Sequence, residues 1–143
     1  VAKKNPTRGG WLFKEEPSCY SYADLEKDGS TWWTGVNNAL ARQHLRKIEV
    51  GDRVLYYQSG KERAIVGEMR VVAGPESDPK SDDPKSVRVN VEPVKRWDSP
   101  VTLAQIKEDP LFADWELVRI SRLSVMPVSA EQWQRLEELC RTA

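Results

Sequence analysis

One local device recurs three times in this chain and fixes where helices can begin. Tyr20/Ser21/Asp24/Leu25, Val101/Thr102/Gln105/Ile106 and Val128/Ser129/Gln132/Trp133 each set an apolar residue before a hydroxyl residue. Each adds an acceptor three residues after the hydroxyl and then a second apolar residue. The hydroxyl can cap the free N–H groups of a first helical turn, the acceptor can return the bond, and the apolar pair can staple the entry. Asp24 is shorter than the usual Glu or Gln, so the first box is the weakest. Gly29 and Pro110 stop the first two helices. In the third, Trp133, Leu136 and Cys140 share a face with Leu139 beside them, so this helix should pack on the body of the domain. A fourth helix, over residues 38–48, lacks a box. Its stripe of Leu40, Ala41, His44, Leu45 and Ile48 leaves Arg42, Gln43 and Arg46 on another face.

Strands fill the intervals. Residues 53–59 and 64–72 flank Gly60-Lys61-Glu62-Arg63 and predict a hairpin. Val87, Val89 and Val91 alternate with Arg88, Asn90 and Glu92, the pattern of an antiparallel strand with one wet face. Trp11-Leu12-Phe13 predicts a buried strand closed by Pro17, and 117–120 and 123–125 are shorter candidates. Residues 75–86 form a long polar loop, expected to be mobile. Residues 1–8 predict a polar N-terminal tail, and 9–143 a single domain. Five to six short strands flanked by helices define an α+β class with a small, strongly bent sheet or partial barrel.

The 143 residues suffice for one domain with a genuine core. The 22 basic and 22 acidic residues cancel, so any contact with nucleic acid must be a local basic patch rather than a global field. No apolar run reaches the length of a membrane span, and the N-terminal residues lack a signal-peptide core. These features predict an intracellular protein, cytoplasmic or, in a eukaryote, nuclear, and not a secreted one. Cys19 and Cys140 are expected as free thiols.

Catalytic patterns are missing. The single histidine, His44, falls on the apolar stripe of its helix, where a core-flanking imidazole with a satisfied nitrogen is expected. One histidine and two distant cysteines give no zinc spacing, and neither a Walker lysine loop nor Gly-x-Gly-x-x-Gly occurs. No metal and no cofactor are expected.

Trp32-Trp33-Thr34-Gly35-Val36-Asn37-Asn38, followed by Arg42 and Arg46, points elsewhere. Aromatic faces stack on planar rings, amides read ring edges, and guanidinium groups meet phosphate. Trp33 is either a stacking platform or a core tryptophan, whereas Trp32 is expected to be structural. Asn37 and Asn38 either read a base edge or cap the helix.

These motifs, taken in order, resemble the EVE domain family of the PUA-like superfamily. Trp11-Leu12-Phe13-Lys14-Glu15-Glu16-Pro17 is similar to the family's Trp-Leu-x-Lys-Ser-Glu-Pro opening. Trp33-Thr34-Gly35-Val36-Asn37-Asn38 with Ala41-Arg42 resembles its Trp-x-Gly-Val-Arg-Asn-x-x-Ala-Arg segment. The run from Val50 to Ser59 matches Gly-Asp-x-x-Leu-Phe-Tyr-His-Ser, and Ile65-Val66-Gly67 and the run from Ser121 to Val128 complete the set. Glu15 stands where Ser is usual, Asn37 where Arg is usual and Gln58 where His is usual. The first two make the mouth of a site less positive.

The resemblance implies a PUA-like pseudobarrel and a non-catalytic reader of modified bases in DNA or RNA, acting through an aromatic pocket. Its expected pocket residues are Lys14, Trp33, Gly35, Val36, Asn37, Tyr57, Ser59, Leu123 and Ser124. Arg42, Arg46, Arg119 and Arg122 are the expected phosphate contacts. The partner is nucleic acid carrying a modified base, with DNA or RNA and the oligomeric state left open. The alternatives are an enzyme acting on a nucleotide-like small molecule and a protein–protein adaptor.

Overall fold

A computed structural model describes residues 8–142. The tail expected over 1–8 lies outside them, apart from Arg8, which opens the first strand. The elements follow as β1 (Arg8–Glu15), α1 (Tyr22–Asp28), β2 (Thr31–Trp33), α2 (Ala39–Lys47), β3 (Arg53–Gln58), β4 (Ala64–Glu76) and β5 (Arg88–Thr102). Next come α3 (Leu103–Glu108), a 3-10 turn (Pro110–Phe112), α4 (Glu116–Arg119), β6 (Val125–Ser129) and α5 (Ala130–Thr142).

The three capping boxes start α1, α3 and α5, and in each both reciprocal bonds form. Even the short Asp24 closes its box, accepting from Ser21 N–H at 2.9 Å while Asp24 N–H donates to Ser21 Oγ at 3.1 Å. Asn38 caps α2 by accepting from Ala41 N–H at 3.0 Å, which assigns its side chain to the helix rather than to a ligand.

Among the described residues the strands form one sheet in the order β2-β5-β4-β3-β1-β6. β1 pairs in parallel with β3 and antiparallel with β6, placing Phe13 opposite both Tyr56 and Val125. β4 and β5 are long and their register shifts repeatedly, at Ile65/Gly67, Glu68/Met69 and Val71/Ala73 among others. Such bulges bend strands and raise twist, so the sheet curls into a half-barrel instead of lying flat. The protein is therefore α+β, as expected. Leu12, Phe13, Tyr22, Tyr56, Val89 and Met126 are fully buried in its core.

Tyr22 seats α1 on the sheet. Its hydroxyl donates to the Glu68 carbonyl at 2.7 Å, and its ring lies where a side chain at Gly67 would be, 2.6 Å from an ideal Cβ. Glycine at 67 is the condition for that contact.

Two local expectations are corrected, and one strand goes beyond them. Residues 117–120 do not form a strand: Glu116–Arg119 is a turn of helix that buries Leu117. A short apolar run carries no period long enough to separate the two states. β2 gives no strand signal in the sequence, because three residues are too few to show alternation. Finally, Pro75 and Glu76, read from sequence as loop, close β4, and residues 78–86 carry local side-chain-to-backbone hydrogen bonds. Asp78 N–H donates to Ser86 Oγ, Lys80 N–H to Asp78 Oδ1, Asp83 N–H to Ser81 Oγ and Lys85 N–H to Asp83 Oδ1, at 2.9–3.2 Å.

Candidate nucleic-acid interface

β2 is an edge strand, and along it opens a cavity of about 230 Å³ lined by Glu15, Tyr20, Thr31, Trp32, Trp33 and Thr34. Trp33 is only 5% exposed. Its ring packs on Phe13 (centroids 5.1 Å, tilted) and meets Tyr56 edge-on (5.5 Å), so it belongs to the core while bordering the cavity. Trp32 is half-buried, and the Arg88 guanidinium lies 3.7 Å over its ring, held in turn by Glu76 at 2.7 Å. The tryptophan expected to be structural is thus the more accessible of the pair.

Glu15 ends β1 beside this cavity. Its carbonyl accepts from Ser59 N–H at 3.0 Å and its Oε1 accepts from Glu16 N–H at 2.9 Å. Tyr20 donates to Asp28 Oδ2 at 2.8 Å; burial, then the Asp28 carboxylate, pushes its phenol up to about 12. Burial likewise raises Tyr56, which Glu15 reinforces. Sequence reasoning does not place Glu15, Tyr20, Thr31 or Thr34 in the site. The departure from Ser at position 15 is the one available signal.

Lys14, Tyr57, Ser59, Leu123 and Ser124 gather at the ends of β1 and β3. Lys14 N–H donates to the Ser124 carbonyl at 2.9 Å, and Lys14 Nζ donates to the Ser121 carbonyl at 2.7 Å. The same ammonium lies 5.7 Å from the Tyr57 ring centroid, within cation–π reach. Burial lowers the Lys14 pKa and raises that of Tyr57. Leu123 is fully buried beneath this corner. Lys14 therefore pins the 121–124 segment rather than projecting freely.

Gly35 turns the chain from β2 toward α2 with φ +75°, and no atom lies within 4 Å of a Cβ placed there. Backbone conformation alone accounts for the glycine. Val36 is buried, and Asn37 is exposed.

The expected phosphate arginines divide. The Arg42 side chain is only 11% exposed; Nε donates to the Val36 carbonyl at 2.7 Å and Nη2 to Asn37 Oδ1 at 3.4 Å. Nη2 also lies 2.9 Å from Asp83 Oδ2. Arg46 is exposed but donates to the Lys85 carbonyl at 2.9 Å. Arg119, on α4, donates to the Asp114 carbonyl at 2.7 Å, and Arg122 is exposed in the following turn. Both α2 arginines are thus engaged by the 78–86 loop.

His44 is buried on α2 against Trp11 (ring centroids 6.0 Å). Contrary to expectation its Nε2 has no hydrogen-bond partner among the described residues. Burial lowers its pKa, with Glu116 opposing and Lys47 reinforcing the shift. Among the described residues no group of three His, Cys, Asp or Glu is placed to hold a metal ion, and no helix is long and apolar enough to cross a membrane.

A curled six-stranded sheet with helices at its margins and an aromatic cavity on its open edge is a PUA-like architecture. The chain belongs to the EVE domain family, whose profile matches residues 10–139. An uncharacterised protein of Schizosaccharomyces pombe is 33% identical over 137 residues, covering 82% of this chain and 57% of that protein. The chain thus spans little more than half of that relative. Among solved structures, Rpa0253 from Rhodopseudomonas palustris superposes with a TM-score of 0.86 at 37% identity, covering 92% of both chains. Human THYN1, solved in complex with DNA containing 5-methylcytosine, superposes at 0.83 with 28% identity, covering 91% of this chain and 96% of that one.

Proposed function

We propose that this protein is a non-catalytic reader of modified bases in nucleic acid, receiving the base in the cavity between Glu15, Tyr20 and the tryptophans of β2. The observation that carries this reading is an aromatic-walled cavity with hydroxyl and carboxylate groups on its rim, at the unpaired edge of the sheet. Apolar walls with a few convergent polar groups are what a small planar ligand requires. A ring inside a duplex cannot enter, so the base is presented outside the stack. That the THYN1 structure contains 5-methylcytosine DNA supports the assignment.

In this reading Trp32 and Trp33 form the aromatic wall. Gly35 and Val36 shape the turn above it, and Asn37 lies at the rim. Lys14 with Tyr57, Ser59, Leu123 and Ser124 builds the adjoining corner. Arg46, Arg119 and Arg122 are the exposed cations that meet phosphate. Arg42 joins them only when Asp83 releases it.

The test is titration with free modified nucleosides and with matched modified and unmodified oligonucleotides. Saturable, modification-dependent binding without turnover supports the reader. Product formation that disappears in His44→Ala would replace it with an enzyme. Absence of binding to every member of the panel would end it.

A further inference from the structure

Resting on the reader function, we infer a path for the strand on either side of the bound base. It crosses the Lys14–Tyr57 corner and lies in a basic groove between the β3–β4 turn and α3. There Lys61, Arg63 and Lys107 meet its phosphates.

The groove forms where two segments are tied together. Residues 60–63 turn the chain from β3 into β4, and the Arg63 carbonyl accepts from the N–H of Leu103, the first residue of α3, at 2.8 Å. Between them opens a cavity of about 780 Å³, more than three times the volume of the one beside β2. Its lining among the described residues has no aromatic ring, so a base finds nothing to stack on. It holds instead Lys61, Arg63 and Lys107, all exposed. Cations without aromatic faces suit a sugar-phosphate backbone, which carries charge and fixes register without presenting sequence.

Two carboxylates share the groove, and the turn holds both. Glu62 accepts from the Gln58 amide. The Glu16 carboxylate lies against Gly60, with Oε1 2.4 Å from where a Cβ would stand. Three cations against two carboxylates leave one positive charge in excess. The lysines are also unengaged. Lys61 and Lys107 donate to no group among the described residues, whereas Arg42, Arg46 and Arg119 already donate to the protein's own oxygens.

Groove and base cavity meet at the end of β1. Glu15 lines the cavity and the next residue, Glu16, lines the groove. Across from them Ser59, whose N–H donates to the Glu15 carbonyl at 3.0 Å, leads into Gly60 of the groove. Positive charge bridges this junction. Lys14 Nζ lies 5.7 Å from the Tyr57 ring centroid; burial raises the Tyr57 phenol, and the charge on Arg63 opposes that shift. Both cations therefore act on one ring. A route over α2 would instead meet the carboxylate of Asp83, 2.9 Å from Arg42. An acidic protein segment could also satisfy the three cations, but continuity with the base cavity favours a nucleic-acid strand.

The test separates phosphate from base. Single strands of one sequence, with and without a 5-methylcytosine, are titrated across a salt series, and the free modified nucleosides are titrated beside them. The chains compared are the parent, Lys61→Ala/Lys107→Ala, Lys61→Arg/Lys107→Arg and a charge-matched control, Lys27→Ala/Lys95→Ala, each checked by thermal melting. The alanine pair in the groove is expected to weaken both strands alike, by about tenfold at low salt. It should flatten the slope of log affinity against log salt by about 1.4, two contacts at roughly 0.7 each. Nucleoside binding stays at the parental value, and the arginine pair restores the strands. Parental strand affinity and slope in the alanine pair, or an equal loss in the control, overturn the groove and leave the reader standing. No saturable nucleoside binding together with no preference for the modified strand ends the reader, and this inference with it. An oligoglutamate peptide that needs the two lysines while the strands do not would assign the groove to an acidic protein segment.

Discussion

Arg42 on α2 and Asp83 in the β4–β5 connection meet at 2.9 Å, across 41 residues of sequence. An acidic side chain therefore occupies the guanidinium proposed above as a phosphate contact. Asp83 is well suited to the task. The Lys85 N–H, and then Arg42, hold its carboxyl below the usual carboxylate range.

Neutralising Asp83 should release Arg42. For Asp83→Asn, which keeps an Oδ1 acceptor for the Lys85 N–H, nucleic-acid affinity is expected to rise a few-fold at low salt. The plot of log affinity against log salt should steepen by about 0.7 for a single strand, the increment for one additional phosphate contact. In the Arg42→Ala background the same substitution should change nothing. Anisotropy titrations across a series of salt concentrations measure both quantities, and a gain that persists without Arg42 would show that the loop acts elsewhere.

The two tryptophans of β2 should separate by phenotype. Trp33 is embedded between Phe13 and Tyr56, so Trp33→Ala is expected to cost about 3–5 kcal/mol of stability. Trp32 is half-buried, and Trp32→Ala should leave the chain folded while weakening base binding roughly 5- to 150-fold. Urea denaturation alongside ligand titration measures both; equal stability losses at the two positions would contradict the burial difference.

Helices are legible from sequence wherever their signals are local. Ser21, Thr102 and Ser129 announce their caps within four residues, and each cap forms. The site is less legible because its parts come from separated segments. Trp33 can be singled out, yet nothing nearby tells that Phe13 and Tyr56 will cover it. Arg42 and Arg46 look like a solvated face because their loop partners lie some 40 residues downstream. The helical turn containing Leu117 is unreadable for a different reason, a run too short to display a period.

Acid should weaken the fold through His44. Its folded-state pKa lies below the ordinary value of 6.5, so in the window between the two the unfolded chain binds the proton first. Stability is then intact above about pH 6.5 and declines as pH falls through the depressed value. His44→Leu should flatten that part of the curve. Urea midpoints between pH 8 and pH 5 measure it, and an unchanged slope in the variant would assign the acid sensitivity to other groups.

A methyl group at position 67 should unseat α1. The Tyr22 ring stands 2.6 Å from where an alanine Cβ would lie, and overpacking of this kind costs typically about 1–3 kcal/mol. Gly67→Ala is expected to lower the urea midpoint accordingly, and Tyr22→Leu in the same chain should recover part of the loss. Failure of the second change to help would place the strain outside that contact.

The position of β1 between β3 and β6 has a consequence for how this protein comes into being. Its first strand gains one neighbour from residues 53–58 and the other only from residues 125–129. During synthesis Trp11, Leu12 and Phe13 must wait through most of the chain before that second edge is covered, and an uncovered apolar edge invites pairing with another molecule. Lys14 and Glu15, at the end of the same strand, share that wait. A nascent chain halted before Val125 therefore carries β1 with its second edge still open, and whatever Lys14 and Glu15 do there waits for β6.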